Sequence, residues 1–219
     1  MNKIQETMLT VFISLLMMFG ILLFLTTQIE ESVDNRMNQS SSVVKVITPG
    51  GHGSGVNIGD GYYLTNHHVV GVEKQVTLKN ESQEETQAQV LWSNEEYDVA
   101  LIYQPIFENI GSSPLDCVIP AVGERVIMAG NPTAFEFLEM EGRVAGKPIQ
   151  MFDGGDLFVP VDGTVVPGMS GGPVFDNNGH VVGINSMTAV APLGMAASFV
   201  DFAFFIPGKS ICQLMGKVQ

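Results

Sequence analysis

A serine that stands between glycines, in the segment Val166–Phe175 (VPGMSGGPVF), has surroundings that suit acyl-transfer chemistry. Glycine permits tight turns, so the turn from Gly168 to Ser170 can direct backbone N–H groups into one small space beside a hydroxyl. Such donors stabilise the oxyanion that forms when a serine attacks an acyl carbon. A hydroxyl alone is a weak nucleophile, so this chemistry also needs a base and a group that orients the base. The alternative is a glycine-rich hairpin in which Ser170 only caps a turn.

Four histidines are candidates for the base, because an imidazole can accept and return a proton near neutral pH. His68 follows a predicted strand at 62–65, so its side chain would lie at the mouth of that strand rather than inside it. The neighbouring His67 would point elsewhere, and either of the two could equally be an ordinary surface histidine. His52, in a glycine loop, and His180, after an Asn-Asn-Gly turn, are interpreted as structural.

An aspartate is the third group that the chemistry requires. Asp98 directly precedes the apolar run 99–102 and would be drawn inward, where a carboxylate needs polar partners. An imidazole N–H would be a suitable partner, and the carboxylate would then fix the tautomer of the histidine. Alternatively, Asp98 only flanks a strand. From the residues alone, Asp60 and Asp116 are equally eligible.

These side chains need a scaffold to bring them together, and the chain beyond Ser42 has the pattern of many short strands. Short apolar or alternating segments between glycine and proline predict strands at 43–47, 54–58, 62–65, 75–79, 87–92, 99–103, 125–129, 139–145, 157–161, 173–175, 181–184 and 202–206. Helical patterns are confined to the apolar N-terminus and residues 210–218. Strands at this spacing predict an all-β sandwich or a pair of barrels.

The N-terminus contains an uncharged apolar segment, Met8–Leu25. As a helix it would be about 27 Å long, close to the hydrocarbon thickness of a membrane. We expect residues 1–28 to form a single-pass membrane anchor and residues 29–42 to form a polar linker. A cleaved signal peptide is the alternative for the first segment. Lys3 favours a cytoplasmic N-terminus, which would place the following domain outside the cytoplasm.

The amino-acid composition limits which partners and cofactors the protein could bind. The formal net charge is −13 at pH 7, and no basic cluster is available to neutralise phosphates, which argues against nucleic acid as a partner. Cys117 and Cys212 would form a disulfide in an oxidising compartment or remain as buried thiols. The histidines and cysteines show no metal-ligand spacing, so we expect neither a metal nor another cofactor. The sequence leaves the oligomeric state open.

Three ordered motifs together resemble the trypsin-like serine proteases of the chymotrypsin fold, and most of all their HtrA (Deg) branch. The motifs are Thr65–Val69 (TNHHV), Tyr97–Ile102 (YDVALI) and Pro167–Pro173 (PGMSGGP). The likeness extends over residues 43–210. Two features depart from the family: Met169 replaces the usual Asn or Asp, and we expect no PDZ domain after Ser210.

The resemblance implies an all-β fold of two six-stranded antiparallel barrels, residues 43–115 and 116–219, with the active site between them and a short C-terminal helix. It also implies a serine endopeptidase that acts through an acyl-enzyme. In that mechanism Ser170 is the nucleophile, His68 is the general base and acid, and Asp98 orients His68. The N–H groups of Gly168 and Ser170 would form the oxyanion hole.

By the same resemblance, five residues would line the pocket for the side chain that precedes the cut: Thr164, Val165, Asn185, Ser186 and Met187. None is acidic, so we expect a preference for a small or medium apolar residue rather than for Lys or Arg. The strand edge at 185–187 could also pair with an extended peptide.

Two functions are consistent with these observations. The first is a membrane-tethered serine endopeptidase that hydrolyses protein or peptide substrates outside the cytoplasm. The second is a catalytically inactive protease-like domain that binds extended peptides or a partner protein at the membrane. The presence of all three catalytic side-chain types favours the enzyme.

Overall fold

The computed structural model describes residues 2–151, 157–193 and 196–216, and the chain divides into two compact units, Met1–Met37 and Asn38–Gln219. Most of the first unit belongs to a long helix, α1 (Lys3–Ser41). Within it, Phe12–Glu30 is long and apolar enough to cross a membrane, although a signal sequence would have the same properties. The helix continues through residues 29–41, most of the segment that we expected to be a linker.

The second unit begins with a closed antiparallel barrel of six strands in the order β1-β2-β3-β6-β5-β4. Its strands are β1 (Val43–Thr48), β2 (Gly51–Gly59), β3 (Tyr62–Thr65), β4 (Gln75–Lys79), β5 (Glu85–Asn94) and β6 (Val99–Tyr103). A short helix, α2 (His67–Val70), follows β3. Side chains such as Val46, Leu78 and Ile102 alternate into the barrel and fill it. All six strands predicted for this half of the chain are present.

The second barrel contains six strands in the order β13-β12-β11-β7-β8-β10, closed by pairing between β13 and β10, with β9 attached to β10. Its strands are β7 (Arg125–Gly130), β8 (Leu138–Val144), β9 (Ile149–Gln150), β10 (Leu157–Asp162), β11 (Pro173–Phe175), β12 (Val181–Leu193) and β13 (Ala196–Pro207). Helix α3 (Gly208–Leu214) follows, and residues 217 and 218 of the predicted final helix lie outside the described residues. The predicted pair of six-stranded barrels is therefore confirmed.

A hydrophobic cluster between the barrels determines how they meet. Outward-facing residues of the first barrel, such as Leu64 and Leu101, pack against Phe175 and Ile206 of the second. A disulfide between Cys117 and Cys212, whose Cα atoms are 5.6 Å apart, ties the connection between the barrels to α3. The structure thus decides a pairing that the sequence left open.

Strands β12 and β13 are much longer than their sequence patterns predict. The pattern indicated strands only at 181–184 and 202–206, whereas the pairing of β12 with β13 continues to Leu193 and Ala196. This extension contains proline, serine and several alanines, which have little preference for strands on their own. Backbone pairing with the neighbouring strand therefore overrides local propensity. The two-residue strand β9 also has no signal in the sequence.

Candidate active site

His68 and Asp98 meet because β3 and β6 run antiparallel. Thr65, the last residue of β3, pairs with Ala100 near the start of β6. The residues just after β3 and just before β6 therefore emerge at the same end of the barrel. His68 lies in α2, beyond the end of β3, and Asp98 immediately precedes β6.

The Asp98 carboxylate holds the imidazole of His68 from one side. Both carboxylate oxygens lie 2.9 Å from His68 Nδ1, and Oδ1 also accepts a hydrogen bond of 3.0 Å from the His68 backbone N–H. A carboxylate only accepts, so Nδ1 carries the proton and Nε2 is the free nitrogen of the neutral ring. The His68 side chain is 48% exposed and that of Asp98 is 20% exposed, so the imidazole faces the cleft while its partner is mostly buried.

Ser170 is placed by the start of β11. Its neighbour Gly171 donates to the carbonyl of Asn185, and Asn185 donates to the carbonyl of Gly172, which fixes the turn against β12. The Ser170 hydroxyl donates to the carbonyl of Ser186 at 3.3 Å. Among the residues that the structure describes, no hydrogen bond joins this hydroxyl to His68.

Ser186 links the two barrels at the site. The register of β12 against β13 shifts between Asn185 and Met187, so Ser186 is the extra residue of a β-bulge. Its hydroxyl donates to Asp98 Oδ2 at 2.9 Å, and the residue is only 5% exposed. The bulge thus directs Ser186 towards the carboxylate, a role that the sequence did not reveal because bulges have no local signature here.

The turn before Ser170 has the backbone geometry that the sequence predicted. Gly168 has a φ of +99°, and an added Cβ would lie 2.3 Å from the carbonyl oxygen of Asn131 and 3.0 Å from His52 Nε2. Any side chain would therefore collide, so glycine is required. Within the described part of the chain, the N–H groups of Gly168 and Ser170 have no hydrogen-bond partner.

His68, Gly168 and Ser170 line one cavity of about 480 Å³. Residues 50–52, at the start of β2, and the segment that follows His68 form its other walls. His52, which we interpreted as structural, is part of this lining and donates through Nε2 to the Asn131 carbonyl at 3.1 Å. The structure therefore brings the candidate base, the candidate nucleophile and the candidate oxyanion turn to one opening.

The residues predicted to line the substrate pocket have different environments. Asn185 is fully buried and donates its side-chain amide to the carbonyls of Ala129 and Pro173. Val165 is buried in the core of the second barrel, and Met187 packs against the cluster between the barrels. Ser186 is the member of this set whose hydroxyl donates a hydrogen bond to Asp98.

Thr164 has an acidic neighbour that the sequence analysis missed. Its hydroxyl donates to Asp201 Oδ1, from a residue 37 positions further along the chain. The contact arises because β10 and β13 pair, with Val161 opposite Ala203. No pattern in the sequence joins residues so far apart.

His180, which we interpreted as structural, also has an acidic partner that the sequence did not predict. His180 Nδ1 lies 3.0 Å from Asp116 Oδ2, and ligand atoms of Asp116, Asp176 and His180 all lie within 4.8 Å of one another. These three groups are the set within the described residues that could hold a metal ion. Asp98 thus has His68 as its partner, whereas Asp116, one of the alternatives considered for that role, pairs with His180.

Comparison with known sequences identifies relatives over most of this domain. The profile of the trypsin-like peptidase domain family matches residues 53–184. A probable periplasmic serine endoprotease, DegP-like, from Pseudomonas putida (strain W619) is 36% identical over 160 residues, which is 71% of this chain and 32% of that protein. A protein of the same description from Hahella chejuensis is 33% identical over 73% of this chain and 34% of its own length. The chain thus spans about a third of the length of these curated relatives.

Solved structures share the fold. The HtrA-type protease AlgW, determined with a tripeptide, has a TM-score of 0.71 and 24% identity, over 84% of this chain and 62% of that chain. An inactive form of Rv3671c from M. tuberculosis H37Rv has a TM-score of 0.68 and 23% identity, over 81% and 87% of the two chains. These likenesses agree with the two barrels described above.

Proposed function

Because this chain belongs to the trypsin-like peptidase domain family, we propose that it is a serine endopeptidase, tethered to a membrane by its N-terminal helix, that cleaves proteins outside the cytoplasm. The observation that carries the proposal is the pairing of His68 with Asp98 beside Ser170. The carboxylate contacts Nδ1 through both oxygens at 2.9 Å, and the imidazole and the hydroxyl line the same cavity.

The proposed mechanism begins with a rotation of the Ser170 hydroxyl from the Ser186 carbonyl towards His68 Nε2. Catalytic hydrogen bonds are often long or absent before substrate binds. Nε2 accepts the hydroxyl proton while Ser170 Oγ bonds to the substrate carbonyl carbon, and Asp98 stabilises the imidazolium. The N–H groups of Gly168 and Ser170 bind the resulting oxyanion.

The second half of the cycle uses the same groups. His68 returns its proton to the leaving amine as the carbon–nitrogen bond breaks, which leaves an ester between the substrate acyl group and Ser170. Water, activated by Nε2, then attacks the ester carbon, and the carboxylic acid and the free hydroxyl are released. No step requires a metal or another cofactor.

Three features support a location outside the cytoplasm. The Cys117–Cys212 disulfide is typical of oxidising compartments. The stretch Phe12–Glu30 fits a membrane span, with Lys3 on its N-terminal side. The relatives from Pseudomonas putida and Hahella chejuensis are both described as periplasmic.

For the residue that precedes the cut, we propose a small or medium apolar side chain. The half-buried Met187 supplies apolar surface, and the Asp201 carboxylate already accepts a hydrogen bond from Thr164. A library of peptides cleaved by the full-length protein tests this part of the proposal. Predominant cleavage after Lys or Arg would refute it.

One observation favours the alternative of an inactive peptide-binding domain. The Ser170 hydroxyl is hydrogen-bonded to the Ser186 carbonyl rather than to His68. A fluorophosphonate probe separates the two functions, because it bonds only to a serine that a base activates. We expect labelling of the full-length protein in detergent and its loss in Ser170→Ala.

The variant His68→Ala adds a second test. His68 is about half exposed at the cleft, so we expect this variant to fold normally and to lose turnover. A folded wild-type protein that resists the probe would support the binding module instead. A His68→Ala variant that fails to fold would assign the histidine a structural role.

A further inference from the structure

We infer that Thr133 and Ser54 are positioning residues that hold the turn 167–170 with two backbone N–H groups directed into the cleft. The inference rests on the proposed function, since an oxyanion turn matters only if Ser170 forms an acyl-enzyme. It concerns two side chains that lie outside the Ser-His-Asp set. Thr133 lies in the loop after β7, and Ser54 lies in β2 of the other barrel.

Thr133 determines the direction of the first donor. The carbonyl of Pro167 accepts two hydrogen bonds of 3.1 Å, one from the backbone N–H of Thr133 and one from its hydroxyl. A trans peptide unit is planar, so its C=O and N–H groups point in opposite directions. When Thr133 holds the Pro167 oxygen, the N–H of Gly168 in the same peptide unit must therefore point the other way.

Ser54 holds the rest of the turn at two points. Its hydroxyl donates to the carbonyl of Gly168 at 2.7 Å, and its backbone N–H donates to the carbonyl of Ser170 at 2.8 Å. The hydroxyl also accepts hydrogen bonds from Asn131, at 2.8 Å from the backbone N–H and 3.2 Å from Nδ2. Because a hydroxyl has a single hydrogen, these two donors direct that hydrogen towards Gly168.

Asn131 is itself fixed in orientation. Its Oδ1 accepts from the backbone N–H of Phe137 at 3.1 Å, and its Nδ2 also donates to the carbonyl of Val44 at 3.0 Å. Exchanging the amide oxygen and nitrogen would place two donors or two acceptors face to face. Asn131 and Ser54 are both fully buried, so each broken contact would leave an unpaired polar group.

These contacts explain how the turn tolerates Met169. The Met169 side chain is fully buried in the core of the second barrel and offers no hydrogen bond. The polar restraints instead come from Thr133, on one side, and from Ser54 in the first barrel. The position of the oxyanion turn therefore depends on contacts across the two barrels rather than on the side chain at 169.

The matched pair Thr133→Val and Thr133→Ser tests the inference, because valine has the shape of threonine without its hydroxyl and serine keeps the hydroxyl. Thr133 is exposed, so both variants of the full-length protein in detergent should fold with an unchanged melting temperature. With the fluorophosphonate probe, the maximal inactivation rate should fall about three- to tenfold in Thr133→Val, as expected for one lost hydrogen bond. The probe concentration at half-maximal rate should stay within about twofold, and Thr133→Ser should restore the rate.

The outcomes separate this inference from the proposed function. A wild-type protein that reacts while Thr133→Val reacts equally fast would overturn the inference alone. Equal losses in Thr133→Val and Thr133→Ser would do the same, because they would show that the hydroxyl is not responsible. A wild-type protein that does not react at all would overturn the proposed function, and this inference with it.

Ser54→Ala supplies a second measurement at the other contact. It removes the hydroxyl that donates to the Gly168 carbonyl, so we expect a loss of inactivation rate at least as large as that of Thr133→Val. Because Ser54 is buried, this variant also loses stability. If it does not fold, the Thr133 pair by itself decides the question. A folded Ser54→Ala that reacts at the wild-type rate would contradict the inference.

Discussion

Replacing Glu136 with glutamine tests how firmly the loop between β7 and β8 is fastened to the first barrel. The Glu136 carboxylate lies between two lysines of that barrel: Lys45 Nζ is 2.7 Å from Oε1, and Lys79 Nζ is 2.8 Å from Oε2. The hydrogen bonds from Lys45 and Lys79 lower the pKa of Glu136 from 4.5 to about 2. The same loop carries Thr133, so this ion pair also secures the segment that contacts the oxyanion turn.

The lowered pKa of Glu136 determines how much its ion pairs stabilise the folded protein and over which pH range they do so. A shift of this size would correspond to about 3 kcal/mol if none of it were screened. The Glu136 side chain is 27% exposed, so solvent screening reduces the expected contribution to about 1–2 kcal/mol. Because the pKa is lower in the folded state, the contribution is present above pH 4.5 and is lost as the pH falls from 4.5 towards 2.

Urea unfolding of the full-length protein in detergent measures this difference. Trp92 is the single tryptophan and packs against the cluster between the barrels, so its fluorescence reports on that core. At pH 7 we expect Glu136→Gln to be less stable than wild type by about 1–2 kcal/mol, and the gap should narrow below pH 4.5. Glu81→Gln is the control, because Glu81 is exposed and has no ion pair among the described residues. A Glu136→Gln variant as stable as this control at pH 7, or a gap that widens in acid, would refute the reasoning.

Two further predictions concern the site and the disulfide. Asp98→Asn should fold but should lower the turnover rate by about a thousandfold or more, because an amide facing His68 Nδ1 favours the wrong tautomer of the imidazole. A loss of less than tenfold in the rate of peptide cleavage would contradict this role. Removing the Cys117–Cys212 disulfide, which joins residues 95 positions apart, should destabilise the protein by about 4–5 kcal/mol. Urea unfolding of the double variant Cys117→Ser, Cys212→Ser measures the loss, and a midpoint equal to that of wild type would contradict the prediction.

The strand pattern was predictable where side chains alternate between a buried and an exposed face. Segments such as Gln75–Lys79 alternate in the sequence and in their burial. The pattern failed in the extension of β12 beyond Ile184, where pairing with β13 rather than alternation maintains the strand. The local sequence contains the alternation of apolar and polar side chains, but it does not show which strands will pair.

The candidate site was predictable to a similar extent. The motifs around His68, Asp98 and Ser170 are each local, and their order along the chain carries the resemblance to a known family. Ser186 was predicted to line the substrate pocket, and the sequence did not predict that its hydroxyl also contacts Asp98, which follows from a β-bulge. Asp201 was not considered, since its contact with Thr164 exists only once β10 and β13 pair.

The sequence by itself determined the types and the order of the chemical groups, the apolar N-terminal helix and the many short strands, because these depend on neighbours in the chain. Tertiary structure alone decided which groups meet. Antiparallel pairing of β3 with β6 brought Asp98, rather than Asp60 or Asp116, to His68. Packing of the two barrels brought Ser54 to the turn at Gly168, and packing of α3 against the connecting segment brought Cys212 to Cys117. These contacts join residues far apart in the chain, and their energies depend on distances that only the folded backbone defines.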